Sequence, residues 1–567
     1  MKKILVIFLF LNSIFAFSQE PYYSDPVRIP ILISGSFAEL RSNHFHSGID
    51  IKTQGRVGFP VHAVADGFIS RIVVSPTGYG RALYISHPNG TTSVYGHLQS
   101  FRDDIEAYVK ELQYNRRSFK TDVQLVPGRF PLKKGDIVAT TGNSGSSGGP
   151  HLHFELRDTK SEEPINPLNY NFHITDKIPP KIFSLMVVPL SDTSHVTYGT
   201  KQRSYSAVLY DGSYHLKNNP VIPVSGEIGF AVQTYDYLDG TWNKCGINSM
   251  QLTIDDEIYF SYQNDRFSFD ESRYINSFIV YDEYIRSRSR FMKTWIDPGN
   301  KLSVYNYTKG NGTFHPSGNR LYNVRIEIKD SYGNTSTLKF SVEHSPKKMV
   351  VQQDSLIERF SYDQENRYNT DEFELVIPGG ALYKDLDFTY KTMPLQPGFY
   401  SDIHVVHKNS VPLHKNCGIK IKVKDLPAEL EKKALLVNID DMSGDYWSAG
   451  GTYKDGWIKS GISTFGHYAV KIDTLSPTVL PLSITGKTTL TEADRIRFRI
   501  EDDLSGIKTI EGTLDGKWAL FEYDPKNKRI THYFDKERFE FGKQHSLKLI
   551  VSDYKQNETV YEATFYK

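Results

Sequence analysis

The stretch Gly142–Asp158, GNSGSSGGPHLHFELRD, decides how the first third of this chain is read. Its second half, HLHFELRD, alternates Leu and Phe with polar residues behind a Gly-Pro boundary, which is the pattern of a β-strand. On a strand, residues i and i+2 point to the same face, so His151 and His153 line one pocket. The run Gly142–Gly149 lets backbone approach closely where a side chain would intrude. Either imidazole can bind a metal while the other faces a reacting group.

Working outward, the flanking segments read as more short strands punctuated by Gly, Pro and Asn: PVHAVADGFISRIVV from Pro60, RALYISHPNG from Arg81, TTSVYGHL from Thr91 and GDIVATTGNSG from Gly135. The exception is Phe101–Gln124, where Ile105, Val109 and Leu112 recur at helical spacing and predict a helical insertion in an otherwise β domain. Upstream, His46 and Asp50 stand four apart, with Gly48 allowing a sharp backbone path between them. Imidazole and carboxylate are ordinary ligands of first-row metals, and Zn2+ accepts both in a tetrahedral site. An isolated His-x-His or His-x-x-x-Asp is weak in a chain with 18 histidines; the conjunction is stronger.

Taken together, HFHSGID, YGHL and TGNSGSSGGPHLHFE resemble, in order and spacing, the signature blocks of the lysostaphin-like (LytM-type) zinc metallopeptidases, across about residues 40–170. The resemblance implies a LytM-type antiparallel β peptidase domain and one Zn2+ per chain. By position it makes His46, Asp50 and His153 the metal ligands, and His151 and His97 the catalytic histidines. It assigns His151 as general base and His97 to the oxyanion or the leaving amine, two roles that are interchangeable at this level. Three protein ligands leave a fourth position for water, the mark of a catalytic rather than a structural zinc site. The HExxH glutamate of other zinc proteases is absent, which fits histidine as the base. His62, His87 and His173 fall outside the motifs and are read as structural or exposed, and His44 stands behind the site or faces solvent. Arg41 and Asn43 line the groove or are ordinary surface groups. Glu155, on the face of the His pair, orients an imidazole or pairs with Arg157.

The whole chain has 567 residues, too many for one domain. With 39% hydrophobic and 23% charged residues it can fill several cores, and its formal net charge of +1 offers no field for nucleic acid or an anionic membrane. Lys2 and Lys3 before the apolar run Ile4–Phe17 read as a secretory signal, residues 1–18, and no later stretch approaches a membrane-spanning length. Cys245 and Cys417 are too few and too far apart for a disulfide scaffold.

The expected organisation is mainly β: a peptidase domain at 19–180 with its insertion at about 101–124, a β-sandwich of immunoglobulin-like type at 181–346, an all-β unit at 347–474 and a second immunoglobulin-like sandwich at 475–567. The tandem sandwiches rest on two segments that resemble each other. YDYLDGTWNKCGINSMQLTI from Tyr235 closes with YNVRIEIKDSYGN, and EDDLSGIKTIEGTL from Glu501 closes with HSLKLIVSDYKQN. The family resemblance implies a secreted zinc endopeptidase of the periplasm or cell envelope, cutting peptidoglycan stem peptides or cross-links. The alternatives are a secreted protease on protein substrates and a non-catalytic wall-binding or regulatory protein. Peptidoglycan, a protein activator and intramolecular inhibition by the C-terminal domains are the expected partners.

Overall fold

The computed structural model describes residues 21–347, 358–484, 488–490 and 494–567; the expected leader lies outside them. The first sheet has nine antiparallel strands, and its principal path runs Ile33–Gly35, Ile49–Lys52, His151–Asp158, Thr91–Gly96, Arg81–Ser86, Gly67–Val74, Thr121–Gln124. The strand His151–Asp158 therefore lies between the two other strands that carry motif blocks. Its register sets His153 opposite both Asp50 and Gly96, and His151 opposite Lys52. Leu152, Phe154 and Leu156 enter the apolar core, while His153, Glu155 and Arg157 are equally buried on the other face. Polar groups removed from water need partners, so this alternation builds a polar network rather than a solvated surface.

The insertion is shorter than its sequence suggests. The helix spans Asp103–Arg116 and stops where Arg117 adopts the left-handed conformation; Thr121–Gln124 then returns as a strand against Gly67–Val74. Ile105 and Val109 are buried, but the next inward position is taken by Gln113, whose amide donates to the Phe119 carbonyl and anchors the reversal, while Leu112 is half-buried. Asp103, Asp104 and Glu106 in the first turn complement the positive end of the helix dipole.

Residues beyond 180 are also almost wholly β. A twelve-stranded sheet starting at Lys181–Pro189 and ending at Thr335–His344, with short helices Ile275–Phe278 and Tyr281–Ser287, surrounds one large core. Two five-stranded sheets and a two-stranded ladder enclose the next, and a four- and a five-stranded sheet the last. Cys245 and Cys417 are both buried free thiols. No helix among the described residues is long and apolar enough to cross a membrane.

Two contacts between units bear on the site. Phe37, Ala38 and Phe45, from the loop leading to His46, belong to the core of the following unit. The insertion helix presents Glu106, Lys110 and Tyr114, each four residues on, to the last unit. Arg81 bridges Glu106 and Glu522, Lys110 pairs with Asp535 at 3.1 Å, and the Tyr114 and Trp518 rings lie 5.2 Å apart.

Candidate metal centre

His46 ends the loop from Ser36, which is clipped shut by backbone hydrogen bonds from His46 to Glu39 (3.0 Å) and from Ala38 to His46 (2.8 Å). Two residues on, Gly48 passes so close to the central strand that a Cβ there would meet the Phe154 carbonyl at 2.2 Å. That close approach lets His46 and Asp50 reach the same point. His46 Nε2 lies 3.1 Å from Asp50 Oδ1 and 3.1 Å from His153 Nδ1, and His153 Nδ1 lies 3.0 Å from Asp50 Oδ1.

The outer nitrogens fix the tautomers. His46 Nδ1–H donates to the Ser36 carbonyl (2.8 Å), and His153 Nε2–H donates to Glu155 Oε1 (2.7 Å). Two imidazole lone pairs and a carboxylate oxygen thus converge with no proton between them unless one ring takes an extra one. A cation satisfies all three. Tetrahedral Zn2+ with bonds near 2.0–2.1 Å sets its ligand atoms about 3.3 Å apart, so this donor set fits zinc with only a slight opening.

Glu155 is fully buried and also accepts from Ser47 Oγ (2.6 Å), Tyr79 Oη (2.6 Å) and Arg157 Nε (2.7 Å). It performs both roles read for it, orienting His153 and pairing with Arg157. Arg41 Nη2 donates to Asp50 Oδ2 at 3.0 Å, holding the second carboxylate oxygen away from the ligand position.

The other two histidines stand beside this cluster. His97 follows the strand Thr91–Gly96 in the left-handed region (φ 58°), a costly conformation for a non-glycine residue, and its Nδ1–H donates to the Ser144 carbonyl at 2.9 Å. His151 Nδ1–H donates to the Gly149 carbonyl at 2.8 Å. The two rings lie 4.8 Å apart, with Nε2 of each left unclaimed by a backbone carbonyl, and His151 Nε2 is 3.4 Å from Asp50 Oδ1. Both supporting carbonyls come from the Gly-rich run. At its start Gly142 nestles against the His97–Gln99 backbone, where a Cβ would lie 2.4 Å from Gln99 N.

Burial, reinforced by His153 and His151, pushes His97 down to about 3 and keeps it neutral. Burial alone would raise Asp50, but His46, His151 and His153 hold it well below the ordinary carboxylate range. Burial also opposes a charge on His153, yet hydrogen bonds to Asp50 and Glu155 outweigh it and lift the ring to about 9. This is the extra proton that the converging acceptors demand when no metal shares them. Glu155, despite burial, is held far down by Arg157 and His153.

The structure brings together all five motif residues. His44 bonds the Ser42 carbonyl, His62 the Gly135 carbonyl, and His87 the Asp66 carbonyl and Ser93; exposed His173 pairs with Asp25. Asn43 accepts from Asn276 of the next unit.

The model of peptidase family M23 matches residues 44–114. The first unit carries an M23-family peptidase domain. The match to the M23 model takes in His46, Asp50 and His97 and stops inside the insertion helix, ahead of His151 and His153. This chain is 32% identical over 130 residues to the DD-carboxypeptidase/endopeptidase Mpg of Neisseria meningitidis, covering 23% of this chain and 24% of that relative. It is 30% identical over 123 residues to an uncharacterized metalloprotease of Haemophilus influenzae, covering 22% of this chain and 20% of that one. The chain thus matches only about a quarter of the length of these curated relatives. Among solved structures, the catalytic domain of the M23 protein EnpA from Enterococcus faecalis aligns with 25% identity over 24% of this chain and 89% of its own, at a TM-score of 0.18. Residues 357–473 match the model of the Zu5-like domain, within the all-β unit whose type the sequence alone leaves unassigned.

Sequence reasoning missed Tyr79, which braces Glu155, and the ion pair between Arg41 and Asp50. Tyr79 and Arg41 both lie outside the motif blocks that would have marked them.

Proposed function

We propose that this protein is a zinc-dependent endopeptidase acting on peptidoglycan stem peptides or cross-links outside the cytoplasm. The observation that carries the reading is the convergence of His46 Nε2, Asp50 Oδ1 and His153 Nδ1 beside the pair His97 and His151. The name printed for the Neisseria relative, a DD-carboxypeptidase/endopeptidase, supports the substrate class. The leader-like residues 1–18 support export.

His46, Asp50 and His153 would hold Zn2+, which when bound supplies Lewis-acid polarisation of the scissile carbonyl and a lowered pKa for water. His151, with Nδ1–H tied to Gly149, accepts the proton of the attacking water at Nε2. The departing amine needs the proton that His151 has taken, and His97, whose ring lies 4.8 Å from His151, stands either at the oxyanion or on the path that passes this proton to the amine. Glu155 and Ser36 keep the ligand imidazoles from turning, and Arg41 keeps Asp50 from flipping. The last unit touches the Gly-rich wall of this groove, which supports a restraining role for it.

The test is zinc stoichiometry with digestion of purified peptidoglycan by the wild type, His153→Ala and His151→Ala. Zinc lost from the first variant but kept by the second, with cleavage abolished in both, is the expected result. Zinc binding without cleavage of any muropeptide, beside cleavage of a Gly-rich protein, would overturn the substrate class.

A further inference from the structure

Asp176, Asp236 and Asp330 come from the linker before the second unit, the end of the strand Ile228–Tyr235 and the end of the strand Leu321–Lys329. All three are buried, at 7%, 3% and 3% exposure, and each places a carboxylate oxygen within 4.8 Å of the other two. Asp330 is well supplied, accepting from Tyr332 N, Asn334 N and Asn334 Nδ2. Its neighbours are not: Asp176 Oδ2 and Asp236 Oδ1 are buried with no hydrogen-bond partner. No Lys or Arg forms an ion pair with any of the three among the described residues. A buried charge without a partner is costly, and here three like charges share one site. Burial and the neighbouring carboxylates raise Asp236 to about 8 and Asp176 to about 7.

The last unit contains a second cluster built to the same plan, with one difference in its surroundings. Asp473, Asp502 and Asp553 also lie within 4.8 Å of one another. Asp473 precedes Pro477 by four residues as Asp176 precedes Pro180. Asn557 donates its amide to Asp553 and to the Asp473 carbonyl, as Asn334 does to Asp330 and to the Asp176 carbonyl. Two residues after the last aspartate, however, the second copy has Lys555, a cation 8% exposed whose Nζ donates to the Ala434 and Gly451 carbonyls and whose charge is felt by Asp473 and Asp553 without a direct ion pair. At the matching position the first copy has Tyr332, which brings no positive charge. One copy has a buried cation close to its aspartates; the other has an uncharged ring at that position.

We infer that Asp176, Asp236 and Asp330 form a calcium site at the junction between the M23 domain and the unit that follows. An all-oxygen donor set selects a hard cation and disfavours zinc. Calcium accepts carboxylate and carbonyl oxygens at 2.3–2.6 Å in flexible geometry, whereas magnesium demands a near-ideal octahedron and keeps its waters. Ligands drawn from a linker and two strand ends make an irregular cage of the first kind. The ion would tie the linker at Asp176 to the sheet at Asp236 and Asp330. This site is separate from the His46–Asp50–His153 centre and stands whether or not that centre cleaves peptidoglycan.

The test is calorimetric titration of CaCl2, and separately MgCl2, into the full-length zinc-loaded protein through the ~10⁻⁴–10⁻³ M range typical of extracellular calcium modules. The wild type should bind calcium in preference to magnesium. Asp236→Asn should bind one calcium per chain fewer, and Tyr332→Lys, which places an ammonium two residues after Asp330, should lose the same ion. Asp502→Asn should leave that binding event in place. Circular dichroism establishes that each variant is folded; should Asp236→Asn fail to fold, Asp176→Asn and Tyr332→Lys carry the same readout. Calcium stoichiometry unchanged in the folded variants, no calcium bound by the wild type, or magnesium bound as tightly as calcium would overturn the assignment.

Discussion

Phe45 stands one residue before His46, and its ring lies 5.6 Å from Phe267 of the following unit. Phe37 lies 5.3 Å from the same ring, and Phe278 closes the group at 5.8 Å from Phe45. The loop that delivers His46 to the His–Asp–His cluster is thus anchored in another unit's core. Removing a buried Phe typically costs 3–5 kcal/mol, and part of that loss falls on the placement of His46. Phe267→Ala, more than 100 residues from any ligand in sequence, should lower zinc retention during dialysis against a weak chelator. For the same reason a 19–180 fragment should retain zinc poorly while 19–346 keeps it. Equal retention by the two fragments would show that the loop holds its shape alone.

That His46, Asp50, His97, His151 and His153 meet in space was legible in the sequence because each sits inside a short block whose spacing meets a chemical need. His-x-His on a strand and Gly48 between His46 and Asp50 are local facts. The anchoring of Phe45 was not legible, since an apolar residue beside a motif reads as the core of its own domain. The insertion was read as a helix from Ile105, Val109 and Leu112, but its end was not. Arg117 in a left-handed conformation carries no Gly or Asn signal. The two repeated segments in the C-terminal half were visible, whereas the meeting of their aspartates with Asp176 and Asp473 needed the fold.

Trp242, 84% exposed, belongs to the second unit yet stacks over Lys52, whose Nζ lies 5.1 Å from the ring centroid. Lys52 pairs directly with His151 across the sheet, so the indole stands at the margin of the groove. A large exposed aromatic there offers a flat apolar face to substrate. Trp242→Ala should raise KM about fivefold, equivalent to ~1 kcal/mol of lost contact, with kcat little changed. A fall in kcat at unchanged KM would place the residue elsewhere in the cycle.

Acid should unfold the C-terminal half before it disturbs exposed groups. His404, 1% exposed, stacks on Phe373 and accepts from Tyr390 Oη at 2.7 Å; His532, 3% exposed, donates to the Leu520 carbonyl. Burial pushes each down to about 4. The folded state therefore binds fewer protons than the unfolded one, whose histidines titrate near 6.5. The stability from each is present above about pH 6.5 and is lost as pH falls toward 4, about 3 kcal/mol per group. Urea midpoints at pH 7 and pH 4.5 should differ more for the wild type than for the double variant His404→Phe with His532→Phe. An identical pH dependence would remove these histidines as the cause.

Lys526 of the last unit reaches the rim of the groove, donating to the carbonyls of Asn143 and, at 3.1 Å, Ser147. The same run supplies the Ser144 and Gly149 carbonyls that hold His97 and His151. Glu522, beside it in sequence, secures the contact through Arg81 at 2.9 Å. If the last unit narrows entry to the groove, releasing it matters most for a polymeric substrate. The double variant Lys526→Ala with Glu522→Ala should then digest peptidoglycan severalfold faster while turning over a short peptide at the wild-type rate. Unchanged rates on both substrates would show that the contact does not restrain the enzyme. A fall on both would mean instead that the contact steadies His97 and His151 through their supporting carbonyls.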